Sequence, residues 1–102
     1  KALLRKSVPT ARRVLGENDQ ITLKMRKIYA RALCEDGSAP LDDLREAVTT
    51  FEDVGRIARR VFGGAHPLTV GIEYHLRNAR ALESGDVSAL REAVDAMNAT
   101  SN

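Results

Sequence analysis

The chain has 102 residues, of which 43% are hydrophobic and 29% charged, with a formal net charge of +2. That length fits one small domain, and that apolar fraction excludes a wholly disordered segment. No apolar run long enough to cross a membrane occurs, no signal peptide opens the chain, and one cysteine with two histidines excludes a disulfide and the four-ligand zinc sites.

Hydrophobic spacing is helical nearly throughout, and five helices follow in chain order. In the first, Leu3, Leu4, Val8, Ala11, Val14 and Leu15 share a helical pattern, and Pro9 is expected to kink it or to begin it anew with Ser7 as cap. The second covers residues 20–35, with Ile21, Met25, Ile28, Tyr29, Ala32 and Leu33 as its face, Asp19 as N-cap and Gly37 and Pro40 as its stop. The third covers 40–62. Leu41, Leu44, Val48, Phe51, Gly55, Ala58 and Phe62 form one stripe and Ala47, Val54 and Val61 a second, so two packing partners are expected. Gly63 and Gly64 end it. The fourth, 67–83, starts on Pro67 and presents Leu68, Ile72, His75, Leu76, Ala79 and Leu82, with Gly85 as its stop. The fifth, 87–98, is capped by Asp86 or Ser88 and presents Leu90, Ala93, Val94 and Met97. No segment competes as a strand.

Aromatic residues are scarce, with two Phe, two Tyr and no Trp, which suits helices packed closely side by side. The chain opens on Lys1 rather than Met, which reads as a processed chain or a piece of a longer one. Charge is uneven. Residues 1–31 hold nine basic residues against Glu17 and Asp19, whereas residues 32–102 are net acidic. A basic end can attract acidic peptides, phosphates or nucleic acid, but a solvated helix face is the simpler reading.

The sequence repeats itself. Ala11-Arg12-Arg13-Val14-Leu15-Gly16 recurs as Ala58-Arg59-Arg60-Val61-Phe62-Gly63, at an offset of 47 that also relates Thr22 to Thr69. Leu44-Arg45-Glu46-Ala47-Val48 recurs unchanged as Leu90-Arg91-Glu92-Ala93-Val94, at an offset of 46. Helix pairs repeated at this period stack, because one pair alone cannot bury its apolar face. The expected fold is therefore all-α, a right-handed α-solenoid of antiparallel helix pairs. It forms a single domain over residues 1–102, divided into a partial repeat 1–16 and repeats 17–63 and 64–98.

The run Arg60-Val61-Phe62-Gly63-Gly64-Ala65-His66-Pro67-Leu68-Thr69-Val70 resembles the junction between tetratricopeptide repeats (TPRs) of kinesin light chains, with its Leu-Gly-x-x-His-Pro-x-Thr-Leu pattern. Val14 to Leu23 looks like a diverged copy in which Asp19 and Gln20 replace His and Pro. Gly37 with Glu46-Ala47-Val48, and Gly85 with Glu92-Ala93-Val94, resemble the family's Gly…Glu-Ala-Leu signature. The resemblance spans residues 11–98. The period here is longer than the family's, and the paired Asn of its groove are replaced by Lys27-Ile28 and Tyr74-His75.

The resemblance implies a scaffold that binds a peptide or partner protein on its concave face. Lys24, Lys27 and Arg31 would face that groove from the second helix, with Gly71, Tyr74 and Asn78 at the matching positions of the fourth. A basic wall of this kind favours acidic partners. The corresponding expectations are no cofactor, no metal, no enzymatic activity, no membrane, a cytoplasmic location and, at the solenoid ends, self-association.

The remaining chemistry-bearing residues have simple structural roles. His66 reads as a helix cap, His75 as a packed histidine and Cys34 as a small buried hydrophobe. Asp42, Asp43 and Glu46 complement a helix dipole, and Gly63-Gly64 lacks the lysine of a phosphate loop. No nucleophile, base and orienting group share a chain neighbourhood. Two other functions compete: nucleic-acid or other polyanion binding through residues 1–31, and a purely structural piece of a longer solenoid.

Overall fold

The structure, a computed structural model, describes residues 2–35, 39–85 and 87–100, and within 87–100 the side chains of residues 91, 92 and 94–99. Gly37, Asp86 and the side chains of Ser88, Leu90 and Ala93, for which a stop, a cap and packing roles are expected, lie outside the described residues. All regular structure among the described residues is helical: α1 (Ala2–Val14), α2 (Gln20–Cys34), α3 (Leu41–Phe62), α4 (Pro67–Ser84) and α5 (Val87–Thr100).

Local chemistry sets the helix ends. The Asp19 carboxylate accepts from the Ile21 N–H at 2.8 Å and starts α2. Nδ1 of His66 accepts from the Leu68 N–H at 3.1 Å and starts α4, with Pro67 in the first turn. α1 runs through Pro9 without restarting. Ser7 is therefore not a cap, and its hydroxyl instead donates to the Leu3 carbonyl at 2.9 Å. Pro9 is exposed within α1, which continues through it although the ring supplies no N–H to the helical ladder.

α3 packs between α2 and α4, as its two stripes require, while α1 packs on α2, α5 packs on α4, and α2 also touches α4. Toward α2, α3 offers Glu46, which accepts from the Tyr29 hydroxyl at 2.7 Å, and Asp53, which pairs with Arg26 at 2.8 Å. Toward α4 it offers Glu52 to Arg80 and Arg59 to Glu73, both at 2.9 Å. Between them Gly55 admits α4 closely: a Cβ there would lie 3.3 Å from Ile72 Cγ2.

The core contains Leu23, Ala30 and Leu33 of α2, Ala47, Phe51, Val54 and Ala58 of α3, and Leu68, Ile72 and Ala79 of α4. The buried face of α2 departs from its apolar spacing. Thr22, Leu23, Arg26, Ala30, Leu33 and Cys34 turn inward, and Ile21 and Ile28 are 57% and 51% exposed. Arg26 makes this possible. Its guanidinium reaches Asp53 and lies 3.7 Å from Glu17, so a charged residue takes a core-facing position. Leu41 and Val61 of α3 are likewise exposed.

The internal repeat is visible in the backbone. Gly16 and Gly63 carry φ values of 96° and 92°, a left-handed conformation that a side chain would strain. The Asp19 N–H donates to the Gly16 carbonyl at 3.4 Å and the His66 N–H to the Gly63 carbonyl at 3.3 Å. Leu23 N–H to Asp19 and Val70 N–H to His66 are both 3.0 Å. Each pair of bonds is related by 47 residues. The buried threonines that follow differ in one respect: Thr22 Oγ1 donates to the Ala11 carbonyl at 3.2 Å, whereas Thr69 Oγ1, equally buried, has no partner. Thr22→Val is therefore expected to cost about 1 kcal/mol and Thr69→Val to be neutral or stabilising, measured by urea denaturation. Equal losses would mean that the two hydroxyls are equivalent.

Candidate functional site

α2 and α4 lie side by side, and their facing residues form a basic trough. Lys24, Lys27 and Arg31 recur at helical spacing along α2. Lys24 is exposed, Lys27 is half-buried, and Arg31 pairs with Glu35 one turn on at 3.0 Å. Opposite Lys27, α4 has no side chain: a Cβ at Gly71 would sit 3.6 Å from Lys27 Nζ. Burial lowers the pKa of the Lys27 amine, and the positive charges of Arg31 and Lys24 lower it further. Neither Lys24 nor Lys27 has a carboxylate partner among the described residues.

One turn beyond Gly71 lies a cavity of ≈ 260 Å³ lined by Arg31, Cys34, Glu35, Phe51, His75 and Ala79 and by Met97 and Asn98 of α5. His75 stacks on Phe51 with ring centroids 6.0 Å apart and meets the edge of Tyr74 at 5.4 Å. Burial, then Arg31 and Lys27, push the His75 pKa down to about 4. Burial pushes the Cys34 thiol up to about 11, with Glu35 and Asp43 adding to it, so the sulfur is neither a thiolate nor a nucleophile at neutral pH.

Of the residues expected to line the groove, Lys24, Lys27 and Arg31 share the α2 side of the trough and Tyr74 is half-buried beside His75. Asn78 is buried, because α4 is covered by α5 as well as by α3, and its Nδ2 has no hydrogen-bond partner. Two features escape the sequence pattern. One is the chain of ion pairs running from Arg12 through Glu17, Arg26 and Asp53 to Arg56, which ties the α1–α2 turn to α3. The other is the part of α5 in the cavity lining. Among the described residues, no cluster of His, Cys, Asp and Glu is placed to hold a metal ion, and no helix is long and apolar enough to cross a membrane.

Comparison with protein-family models, with curated proteins and with solved structures finds no match.

The depressed His75 pKa makes a stability prediction. In the folded chain His75 stays neutral down to about pH 4, whereas the unfolded chain protonates it near the ordinary value of 6.5. The unfolded state gains protons first, so stability contributed by neutral His75 is full above pH 6.5 and falls as pH drops from 6.5 toward 4. The loss is at most about 3 kcal/mol, at 1.36 kcal/mol per pKa unit. His75→Phe keeps a ring against Phe51 and removes the titration. Its melting temperature is expected to fall less than the wild type's across that pH range, and parallel curves would remove His75 as a cause.

Proposed function

We propose that this chain is a protein–protein interaction module of tetratricopeptide type, a short right-handed solenoid that binds an acidic segment of a partner protein in the α2–α4 trough, without turnover. The observation that carries the reading is the run Lys24, Lys27 and Arg31: two cations without carboxylate partners among the described residues and a third beside them, with Lys27 Nζ lying over Gly71 of α4. Crowding of like charges costs free energy in the unbound chain. A carboxylate entering the trough relieves that cost and finds charge-assisted donors. The matched junctions at Gly16 and Gly63, the direct packing of α2 on α4 and the position of α3 behind both support the solenoid reading. So does the resemblance of residues 60–70 to the kinesin light-chain junction.

The test compares wild type with the Lys24→Ala, Lys27→Ala, Arg31→Ala triple variant as bait in lysate at low and high salt, with recovered proteins identified by mass spectrometry. All three positions lie outside the hydrophobic core, so the variant keeps its helical circular-dichroism spectrum. A defined partner is expected with wild type and lost with the variant. An unchanged set of partners would remove the trough as the binding surface. Nucleic acid alone, released by salt, would transfer the function to the basic segment 1–31.

A further inference from the structure

Of the sixteen basic residues of the chain, four are lysines, and two of these, Lys24 and Lys27, stand in the trough. An arginine keeps its proton at every pH a protein meets, whereas a lysine can lose it and become a nucleophile. Lys27 has the setting that favours the loss. It is half-buried, with Lys24 one turn before it and Arg31 one turn after it on α2, and no carboxylate pairs with its amine among the described residues. α4 supplies no balancing charge. Nζ lies over Gly71, where a Cβ would be 3.6 Å away. His75, which senses the Lys27 charge, is neutral above about pH 4, Tyr74 meets its ring edge, and Glu73 is held by Arg59 of α3 at 2.9 Å. Desolvation and the two neighbouring cations act on Lys27 in one direction, so its uncharged amine is populated closer to neutral pH than that of an isolated exposed lysine.

The same two cations suit an anionic reagent. Lys24 is exposed, and Arg31 engages Glu35 through Nε at 3.0 Å. A phosphoryl group between Lys24 and Arg31 gains charge-assisted hydrogen bonds. Because Lys27 lies between them along α2, an acyl carbon attached to that phosphoryl group is set beside Nζ.

We infer that Lys27 is a site of covalent acylation by small acyl phosphates, with Lys24 and Arg31 receiving the phosphoryl group. The Nζ lone pair forms a C–N bond to the acyl carbon and the C–O bond to phosphate breaks. Inorganic phosphate leaves with the electron pair and takes up the proton released by the nitrogen. The product is a neutral amide, which removes one positive charge from the trough. The reaction belongs to the unbound chain and does not require a partner protein. Its failure therefore leaves the interaction reading standing, and a trough that binds no acidic segment leaves the acylation standing.

The test treats the 102-residue chain with acetyl phosphate at neutral pH and follows acetylation at each lysine by peptide mass spectrometry. Lys27 is expected to react at least roughly threefold faster than the exposed Lys6 and Lys24. That lead is expected to shrink with N-acetoxysuccinimide, an uncharged acetyl donor, and in the Arg31→Gln protein, whose fold is checked by circular dichroism. A smaller lead with acetyl phosphate, or none, overturns the inference. An equal lead with both donors also overturns it, because the amine would then be reactive without a phosphoryl seat, as does a lead that Arg31→Gln leaves unchanged.

Discussion

Phe51→Ala is expected to lower the unfolding free energy by about 3–5 kcal/mol, the largest single effect of any substitution in the chain. Phe51 is 1% exposed and is the largest fully buried side chain. It lies in the middle of α3, packs into the core shared by all three central helices and stacks on His75 of α4. Truncation removes its transfer free energy and opens a void that joins the neighbouring cavity, which Phe51 already lines. A domain of this size has roughly 5–15 kcal/mol of stability in total, so the variant should be partly unfolded at physiological temperature. Urea denaturation followed by circular dichroism measures the loss, with Leu3→Ala, at an exposed position of α1, as the control expected to change little. A loss below about 1 kcal/mol would mean that α3 is not seated between α2 and α4 as described.

The second large effect concerns the buried guanidinium. The Arg26 side chain is 8% exposed, pairs with Asp53 at 2.8 Å and has Glu17 3.7 Å from its other nitrogen, Nη1, which makes no hydrogen bond. Asp53→Ala leaves that charge inside with one distant partner, at an expected cost of about 3 kcal/mol, the low end for a broken buried pair because Asp53 itself is partly solvated. Arg26→Met removes the charge and keeps an apolar stem, while Asp53 retains Arg56 at 3.2 Å and Glu17 retains Arg12. It is expected to cost clearly less. The order of the two variants is the test, and the reverse order would show that the pair stabilises by attraction rather than by avoiding an orphaned charge. The same chain of charges responds to acid. Burial pushes the Asp53 carboxyl upward, but hydrogen bonding and charge from Arg26 and Arg56 outweigh it, and Arg12 holds Glu17 down. Both folded values lie below the ordinary carboxylate range. Their contribution is therefore present above that range and is lost as pH falls through the depressed values.

What the sequence reveals depends on how far apart the interacting groups are. The caps at Asp19 and His66 are legible because each acts on an N–H two residues away, and Pro67 and Gly63 are read from their own backbone preferences. The two stripes of α3 announce two partners, and two partners are found. The inward face of α2 is misread because an apolar count excludes Arg26, whose burial is offset by Asp53, twenty-seven positions on. Matched positions of the repeat also differ in burial, so that Leu23 is fully buried while Val70 is 52% exposed, because α2 and α4 have different neighbours. The spacing of Lys24, Lys27 and Arg31 places them along one side of a helix. That Gly71 faces Lys27, that Asn78 is covered and that α5 lines the cavity are consequences of packing between helices.

Cys34 offers one more use of the buried seam. It is the single sulfhydryl of the chain, lies in the core at the end of α2 and holds its proton far above neutrality. A thiol in that state reacts slowly from the cavity wall and faster when the end of α2 lifts away from α3, so its modification rate in the unaltered chain rises with the fraction of time the seam is open.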